Sequence, residues 1–350
     1  MRHLPIAALI LLAASGVVRA DPTDDYVRAQ IKAQNIPGLS IAVVKDGQIV
    51  KAAGYGLADR RLRIPATPET VYHVGSIGKQ FVATGIMLLV QEGRVSVDDP
   101  ISKYLQRILA AWNGISIRHL LTHTSGMIRE EPGLDPFKEQ NHAEVIKTAY
   151  PRPLLFAPGQ KWAYSNTGYA LLGDIIRVVT GRPWAEYITE KVFVPSDMSS
   201  TFPINTKEAI VNRARGYSDN DELKEADHWR SLYAAGGFLS TVLDLAKWDA
   251  APYTDRILSD ATRRQMWTPV QLNDGTSHPY GFGWEIDSSM MGHNLVRHGG
   301  QVRGFRSEFA RFVDHRLTII VLMNMDDVDW QTIVRGVGRS YIPAAPKNKP

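Results

Sequence analysis

Apolar and polar positions alternate differently at the two ends of this chain than in its middle. Residues 39–45 and 48–53 are rich in apolar and β-branched side chains, and Asp46-Gly47 between them is a two-residue hairpin signal. A short helix is predicted over 24–34, broken before Pro37. After Val74-Gly75-Ser76-Ile77-Gly78-Lys79 the period becomes helical at once. Ile77, Phe81, Val82, Ile86 and Leu89 share one face, and Gly93 stands where a C′ glycine stops a helix. From about 98 to 251 helices and loops alternate, with helices predicted at 117–122 and 168–180 and another opened by Pro183 after Gly181. The β signal returns at 281–286, 295–297, 306–313 and 317–324, the last two joined by Asp314-His315, before a final helix over about 327–339. Strands at both ends with helices between them predict an α+β fold: an antiparallel sheet built from both chain ends, flanked by helices, with a mainly helical region inserted.

The first twenty residues read as an export signal. Met1-Arg2-His3 is basic, residues 4–18 are almost wholly apolar, and Val18-Arg19-Ala20 puts small residues at −3 and −1 of a cleavage site. The run is short for a membrane span, so cleavage after Ala20 is expected. The chain then divides into the signal 1–20, one domain over 21–342 and a loose tail over 343–350, with no linker, repeat or low-complexity tract inside. Losing Arg2 and Arg19 leaves 38 Lys+Arg against 36 Asp+Glu and lowers the formal charge from +4 to +2. With no basic stripe interleaved with aromatics, nucleic acid is not an expected partner. There is no cysteine, which excludes disulfides, thiol nucleophiles, thiolate metal sites and a lipidated N-terminal cysteine. The destination expected is periplasmic or secreted, with no stable membrane anchor after cleavage.

Three short motifs carry the chemistry. Ser76 is the only serine with a lysine three residues later. On a helix those two side chains point the same way, and the first turn supplies unpaired backbone N–H groups and positive potential. A hydroxyl, an adjacent amine and a donor for an oxyanion suit a nucleophile; a helix cap beside a solvated lysine fits the same residues. Tyr164-Ser165-Asn166 is the only Tyr-x-Asn, and in an extended loop the phenol and amide face one side. Asn166 as an N-cap and Tyr164 as a core residue fit equally. His298-Gly299-Gly300-Gln301 follows directly on the strand predicted at 295–297, and paired glycines permit close backbone approach at a strand edge.

Taken together, Ser76-x-x-Lys79, Tyr164-x-Asn166 and the histidine–glycine motif, in that order and spacing, resemble the serine β-lactamase and penicillin-binding-protein family, and within it the class C branch with its related esterases and D-aminopeptidases. Leu120 to Gly126, Pro158-Gly159, Ala235-Gly236-Gly237-Phe238 and Tyr280-Gly281-Phe282-Gly283-Trp284 are similar to it too. The resemblance implies a β-lactamase/transpeptidase-like fold and a serine hydrolase working through an acyl-serine intermediate. It implies Ser76 as nucleophile, with Lys79 sharing a proton network with Tyr164 as general base. Asn166, His298 and Gly300 would bind substrate, and the backbone N–H groups of Ser76 and Gln301 would form the oxyanion hole. No cofactor or metal is implied. The substrate would be an ester, a D-amino-acid amide or peptide from cell-wall material, or a β-lactam. The departure lies at His298-Gly299, where family members acting on β-lactams usually carry Lys-Thr. Losing that charge and hydroxyl weakens a carboxylate clamp. A non-catalytic or slow penicillin-binding module that binds wall fragments is the alternative.

His119 and His123, four apart, could share a helix face as metal ligands, but no third ligand spacing accompanies them and a structural role is expected. No Gly-x-Ser-x-Gly elbow and no Walker loop is present. The acidic stretch 218–227 reads as a solvated loop, and Trp162, Tyr233 and Trp284 as core or cleft-lining residues.

Overall fold

The computed structural model describes residues 21–106, 108–129, 153–204, 210–218, 233–251, 256–287 and 290–342. Residues 1–20, expected to be an export signal, the 343–350 stretch expected to be a tail, and most of the acidic stretch lie outside them. Helix α1 (Pro22–Ala33) is capped by Asp21, whose carboxylate accepts from the Thr23 amide, with proline at the first helical position. Strands β1 (Gly38–Lys45) and β2 (Gln48–Asp59) follow. Asp46 at φ 51° and Gly47 at φ 79° give the doubly left-handed turn that matches strand twist. β2 runs six residues past the predicted end, because the glycines and tyrosine of 54–57 still pair with the start of β1.

The short strands β3 (Ile64–Pro65) and β4 (Tyr72–His73) lead into a 3₁₀ turn at Gly75–Ile77 and then α2 (Gly78–Gln91). The middle of the chain supplies α3 (Ile117–Leu121), α4 (Asn166–Thr180), α5 (Trp184–Ile188), β5 (Phe202–Pro203), β6 (Phe238–Ser240), α6 (Val242–Ala250) and α7 (Asp260–Met266). Strands β7 (Val270–Gln271), β8 (Ser277–His278), β9 (Glu285–Asp287), β10 (Leu295–Val302), β11 (Phe305–Phe312) and β12 (Leu317–Met323) precede α8 (Trp330–Tyr341).

The main sheet has seven strands in the order β3-β2-β1-β12-β11-β10-β9, all antiparallel, so its centre joins the two ends of the chain. β12 is buried along its whole length because both its faces are covered. Leu317, Ile319, Val321 and Met323 pack with Val27 of α1 and with Ile333, Val334 and Val337 of α8. Ile320 and Leu322 join the core on the opposite face, which contains α2 and the helical region. The expected α+β arrangement is present, and α2 is buried nearly all round rather than on one face. Phe81 holds it there, in edge-to-face contact with Phe193, Phe238 and Trp248 at 5.0, 5.4 and 5.3 Å between ring centres.

Two local readings differ from the sequence expectation. The strand predicted at 281–286 shrinks to β9, because Gly283 at φ 78° and the Gly281 amide bonded to the Trp284 carbonyl fold that run into a turn. The His298-Gly299-Gly300-Gln301 motif lies inside β10 rather than after it, paired residue by residue with Phe309 to Arg306 of β11.

Two buried polar clusters fix the layers. Asn324 accepts from the Gly38 amide at 2.7 Å and donates to the Leu57 and Ala58 carbonyls at 3.0 and 3.2 Å, tying β1 and β2 to the end of β12. Arg311 of β11, fully buried, donates to the Asp249 carboxylate at 2.9 and 2.6 Å, and Thr318 of β12 donates to the same oxygen at 2.6 Å. Removing one side of such a pair strands a buried charge. Asp249→Ala should therefore lower unfolding free energy by about 3–5 kcal/mol, read by urea denaturation; a loss under about 1 kcal/mol would show that the cluster contributes little.

Candidate active site

The site forms where the 3₁₀ turn ahead of α2 meets the edge of β10. Gly75 has φ 52°, and a side chain there would come within 3.1 Å of the Gln301 backbone nitrogen. At Gly300 a Cβ would sit 2.0 Å from the Val74 carbonyl oxygen, to which Ser307 donates at 2.8 Å. The two glycines let the Ser76 turn and β10 touch backbone to backbone. This puts Gln301 beside the Ser76 turn and explains why glycines occur within a paired strand.

Lys79 is fully buried in the first turn of α2, with its amine 3.1 Å from Ser76 Oγ, 2.7 Å from Asn166 Oδ1 and 2.5 Å from the Ala235 carbonyl. Ser76 remains partly exposed. Three acceptors match the three N–H bonds of an ammonium, so this geometry suits a protonated lysine and leaves no lone pair for the serine proton. Asn166 can turn to Lys79 because the cap of α4 is Ser165, whose hydroxyl accepts from the Gly168 amide. The N-cap reading of Asn166 is thus replaced. Tyr164 lies against both neighbouring cations: Lys79 Nζ is 4.8 Å and Arg129 Cζ 5.2 Å from its ring centre.

His298 faces this group from β10 but is 1% exposed. Its Nδ1 lies 2.7 Å from the Gly299 carbonyl and its Nε2 2.9 Å from the Tyr280 hydroxyl, so both ring nitrogens have partners inside the protein. Burial, reinforced by the Lys79 charge, lowers its pKa to about 3. At neutral pH it is an uncharged imidazole. Gly299 has a steric reason on the reverse face, where a side chain would meet Glu308 Oε2 at 2.7 Å. That carboxylate is buried and held by Arg297 through bonds of 2.9 and 3.0 Å. The absence of a threonine at 299 follows from this ion pair.

The structure brings Ser76, Lys79, Tyr164, Asn166, His298, Gly300 and Gln301 to one place. Ala235 supplies an acceptor through its backbone, which any residue type offers, so only its neighbourhood in the glycine pair 236–237 hinted at a tight loop. Trp162 borders the site, with its ring 6.3 Å from Tyr164 and stacked on His278 at 4.2 Å. Tyr233 packs edge-on against Trp184, and Trp284, 1% exposed against Phe309 and Trp267, is core. His119 accepts from the Ser116 amide and completes the cap of α3, whereas His123 turns toward Ser165 and Tyr280. No group of three or more metal-ligating side chains occurs among the described residues.

A family model described as Beta-lactamase matches residues 23–334. A penicillin-binding protein of Bacillus subtilis (strain 168) is 30% identical over 339 residues, covering 89% of this chain and 75% of the relative. A D-aminopeptidase of Gluconobacter oxydans (strain 621H) is 29% identical over 298 residues; these cover 82% of this chain but 56% of the relative, so the chain spans little more than half of that protein. Among solved structures, the D-amino acid amidase from Ochrobactrum anthropi SV3 superposes with a TM-score of 0.77 at 26% identity, covering 91% of this chain and 98% of that one. These likenesses are compatible with the class C branch, and no helix among the described residues is long and apolar enough to cross a membrane. The match runs from α1 to α8 and includes the whole site, and on it the chain belongs to the beta-lactamase family of serine hydrolases.

Proposed function

We propose that the chain is an exported hydrolase that acylates Ser76 with D-amino-acid amides or esters, and that it handles carboxylate-bearing β-lactams poorly. The observation that carries this reading is the pairing of a complete proton-transfer group with a neutral, buried His298 where a cation would anchor a carboxylate. The names of the D-aminopeptidase and D-amino acid amidase relatives support an amide with a D-configured acyl part.

In this mechanism two cations against its ring favour the phenolate of Tyr164. Tyr164 takes the Ser76 proton as Oγ bonds to the carbonyl carbon, and Lys79 stays an ammonium throughout, holding Ser76 and Asn166 in place. The oxyanion is received by the Ser76 and Gln301 amides. Tyr164 then returns the proton to the departing amine or alcohol, and a water attacks the acyl-serine by the same route in reverse. Asn166, with its oxygen on Lys79, binds the substrate's acyl side, and Gly300 lets substrate approach the β10 backbone. The basic and apolar character of residues 1–20 supports export.

Purified residues 21–350 should hydrolyse p-nitrophenyl butyrate or D-alanine p-nitroanilide with kcat/KM about 10- to 100-fold above that for a chromogenic cephalosporin, the span set by one lost charge-assisted contact. Ser76→Ala should lower it about a thousandfold or more. Faster cephalosporin turnover would refute the substrate assignment, survival of activity in Ser76→Ala the mechanism, and stoichiometric acylation without turnover would favour the binding-module alternative. Expression in a secreting host should yield a chain beginning at Asp21 by N-terminal sequencing; a retained leader would refute export by cleavage.

The neutral histidine also sets a pH dependence of stability. Below about pH 6.5 the unfolded chain protonates His298 while the folded chain does not, so the unfolded state binds more protons and stability falls as pH drops toward 3. Between pH 6 and 4, His298→Asn should flatten that decline by up to about 1.4 kcal/mol per pH unit in urea titrations; an unchanged slope would mean that His298 is charged when folded.

A further inference from the structure

His123 is the buried titratable group that the mechanism above leaves unused. It is 0% exposed, and its backbone lies in the left-handed region at φ 61°, a conformation a histidine holds only when its surroundings enforce it. The enforcement is visible. The His123 carbonyl accepts from the Ala163 amide at 2.9 Å, and its Nδ1 accepts from the Ser165 amide at 3.1 Å. One residue thus holds the backbone on both sides of Tyr164, and its ring lies 4.3 Å from the Tyr164 ring.

The remaining hydrogen bonds fix each proton in turn. Nδ1 of His123 is an acceptor, so the neutral ring carries its hydrogen on Nε2, which lies 3.1 Å from the Tyr280 hydroxyl and donates to it. At the far end, Nδ1 of His298 faces a carbonyl, which can only accept, so that nitrogen carries the proton. Its Nε2 is then an acceptor and takes the Tyr280 hydroxyl hydrogen at 2.9 Å. The direction runs one way, from the Ser165 amide through His123, Tyr280 and His298 to the Gly299 carbonyl.

We infer that His123 is the positioning residue of Tyr164, acting through its bonds to the Ala163 and Ser165 amides on either side of that tyrosine, and that it heads a proton-ordered His123–Tyr280–His298 chain running to β10. The inference rests on Tyr164 acting as the base. Neutrality of the chain agrees with its surroundings. His123 is enclosed by Trp162, Tyr164, Tyr169 and Tyr280, and burial, followed by the charges of Lys79 and Arg129, lowers its pKa well below the ordinary value. His298 is faced by Tyr164, Tyr280, Lys79 and Arg297, with the same effect. Tyr280, in the middle, is held as the phenol by burial and by Tyr169 and Tyr164 beside it.

Two substitutions at 123 separate the two bonds of one ring. His123→Asn places an amide oxygen where Nδ1 was and tolerates the left-handed backbone, keeping the bond to Ser165 while losing Tyr280. His123→Gln reaches Tyr280 and loses Ser165. Labelling of Ser76 by a fluorophosphonate, which needs the serine proton removed but no particular substrate, should slow about 10-fold in His123→Gln and stay within about threefold of wild type in His123→Asn, at equal folded fraction. Equal rates in the two variants would overturn the positioning role. In parallel, ¹⁵N-histidine NMR of the wild type should show His123 as the Nε2–H and His298 as the Nδ1–H tautomer, neither titrating between pH 5 and 8, with Tyr280→Phe moving the His298 titration upward. Opposite tautomers, or a wild-type titration in that range, would overturn the chain. A wild type that takes no label would sink the acyl-serine reading and the positioning role with it, while the tautomers still decide the chain by themselves.

Discussion

The constraint on which the rest depends is the burial of one ammonium. Lys79 has no exposed surface, and an uncompensated charge in that position would cost several kcal/mol. Its donors reach acceptors in its own turn and in two remote segments: Ser76 just before α2, the first residue of α4 and the loop before β6. The helical region therefore cannot dock loosely. Any displacement of α4 or of the loop at 235 would open one of these bonds to a fully buried amine. The arrangement proposed for catalysis is in this sense also a fastening of the fold.

Much of that arrangement was legible in the chain. Lys79 follows Ser76 by one helical turn, and the period of the following apolar residues places both at the start of α2. The hairpin at Asp46-Gly47 and the antiparallel end strands were equally plain. Less legible were features that depend on partners far away in sequence. The cap of α4 is Ser165 rather than Asn166, a choice made by the pull of Lys79 on the Asn166 amide. β10 continues through two glycines because β11 pairs with every residue of the motif, while the glycine-rich run at 281–283 turns back on itself. Local composition in the two places is similar, and only tertiary pairing separates them.

The reverse face of the sheet adds a constraint of its own. Gly299 is excluded from carrying a side chain by the Arg297–Glu308 pair, and His298 is excluded from reaching outward by Tyr280. The two positions that set this site apart from the β-lactam-directed pattern are thus held by different elements on opposite faces of one strand. Converting the motif would need compensating changes in β11 and in the loop that carries Tyr280, not only new residues at 298 and 299.

The order of strands has a consequence for how the chain acquires its shape. The central strand β12 lies some 280 residues after β1, with which it pairs from Leu39 opposite Met323 to Lys45 opposite Leu317. Until those last residues are present, the β1–β2 hairpin has no neighbour on its inner side, and an isolated hairpin is marginal in water. Closure of the sheet is a late, non-local step with the slow kinetics such topologies show. A chain that must wait for its C-terminal strand stays unfolded for longer, a property that would serve the export proposed above.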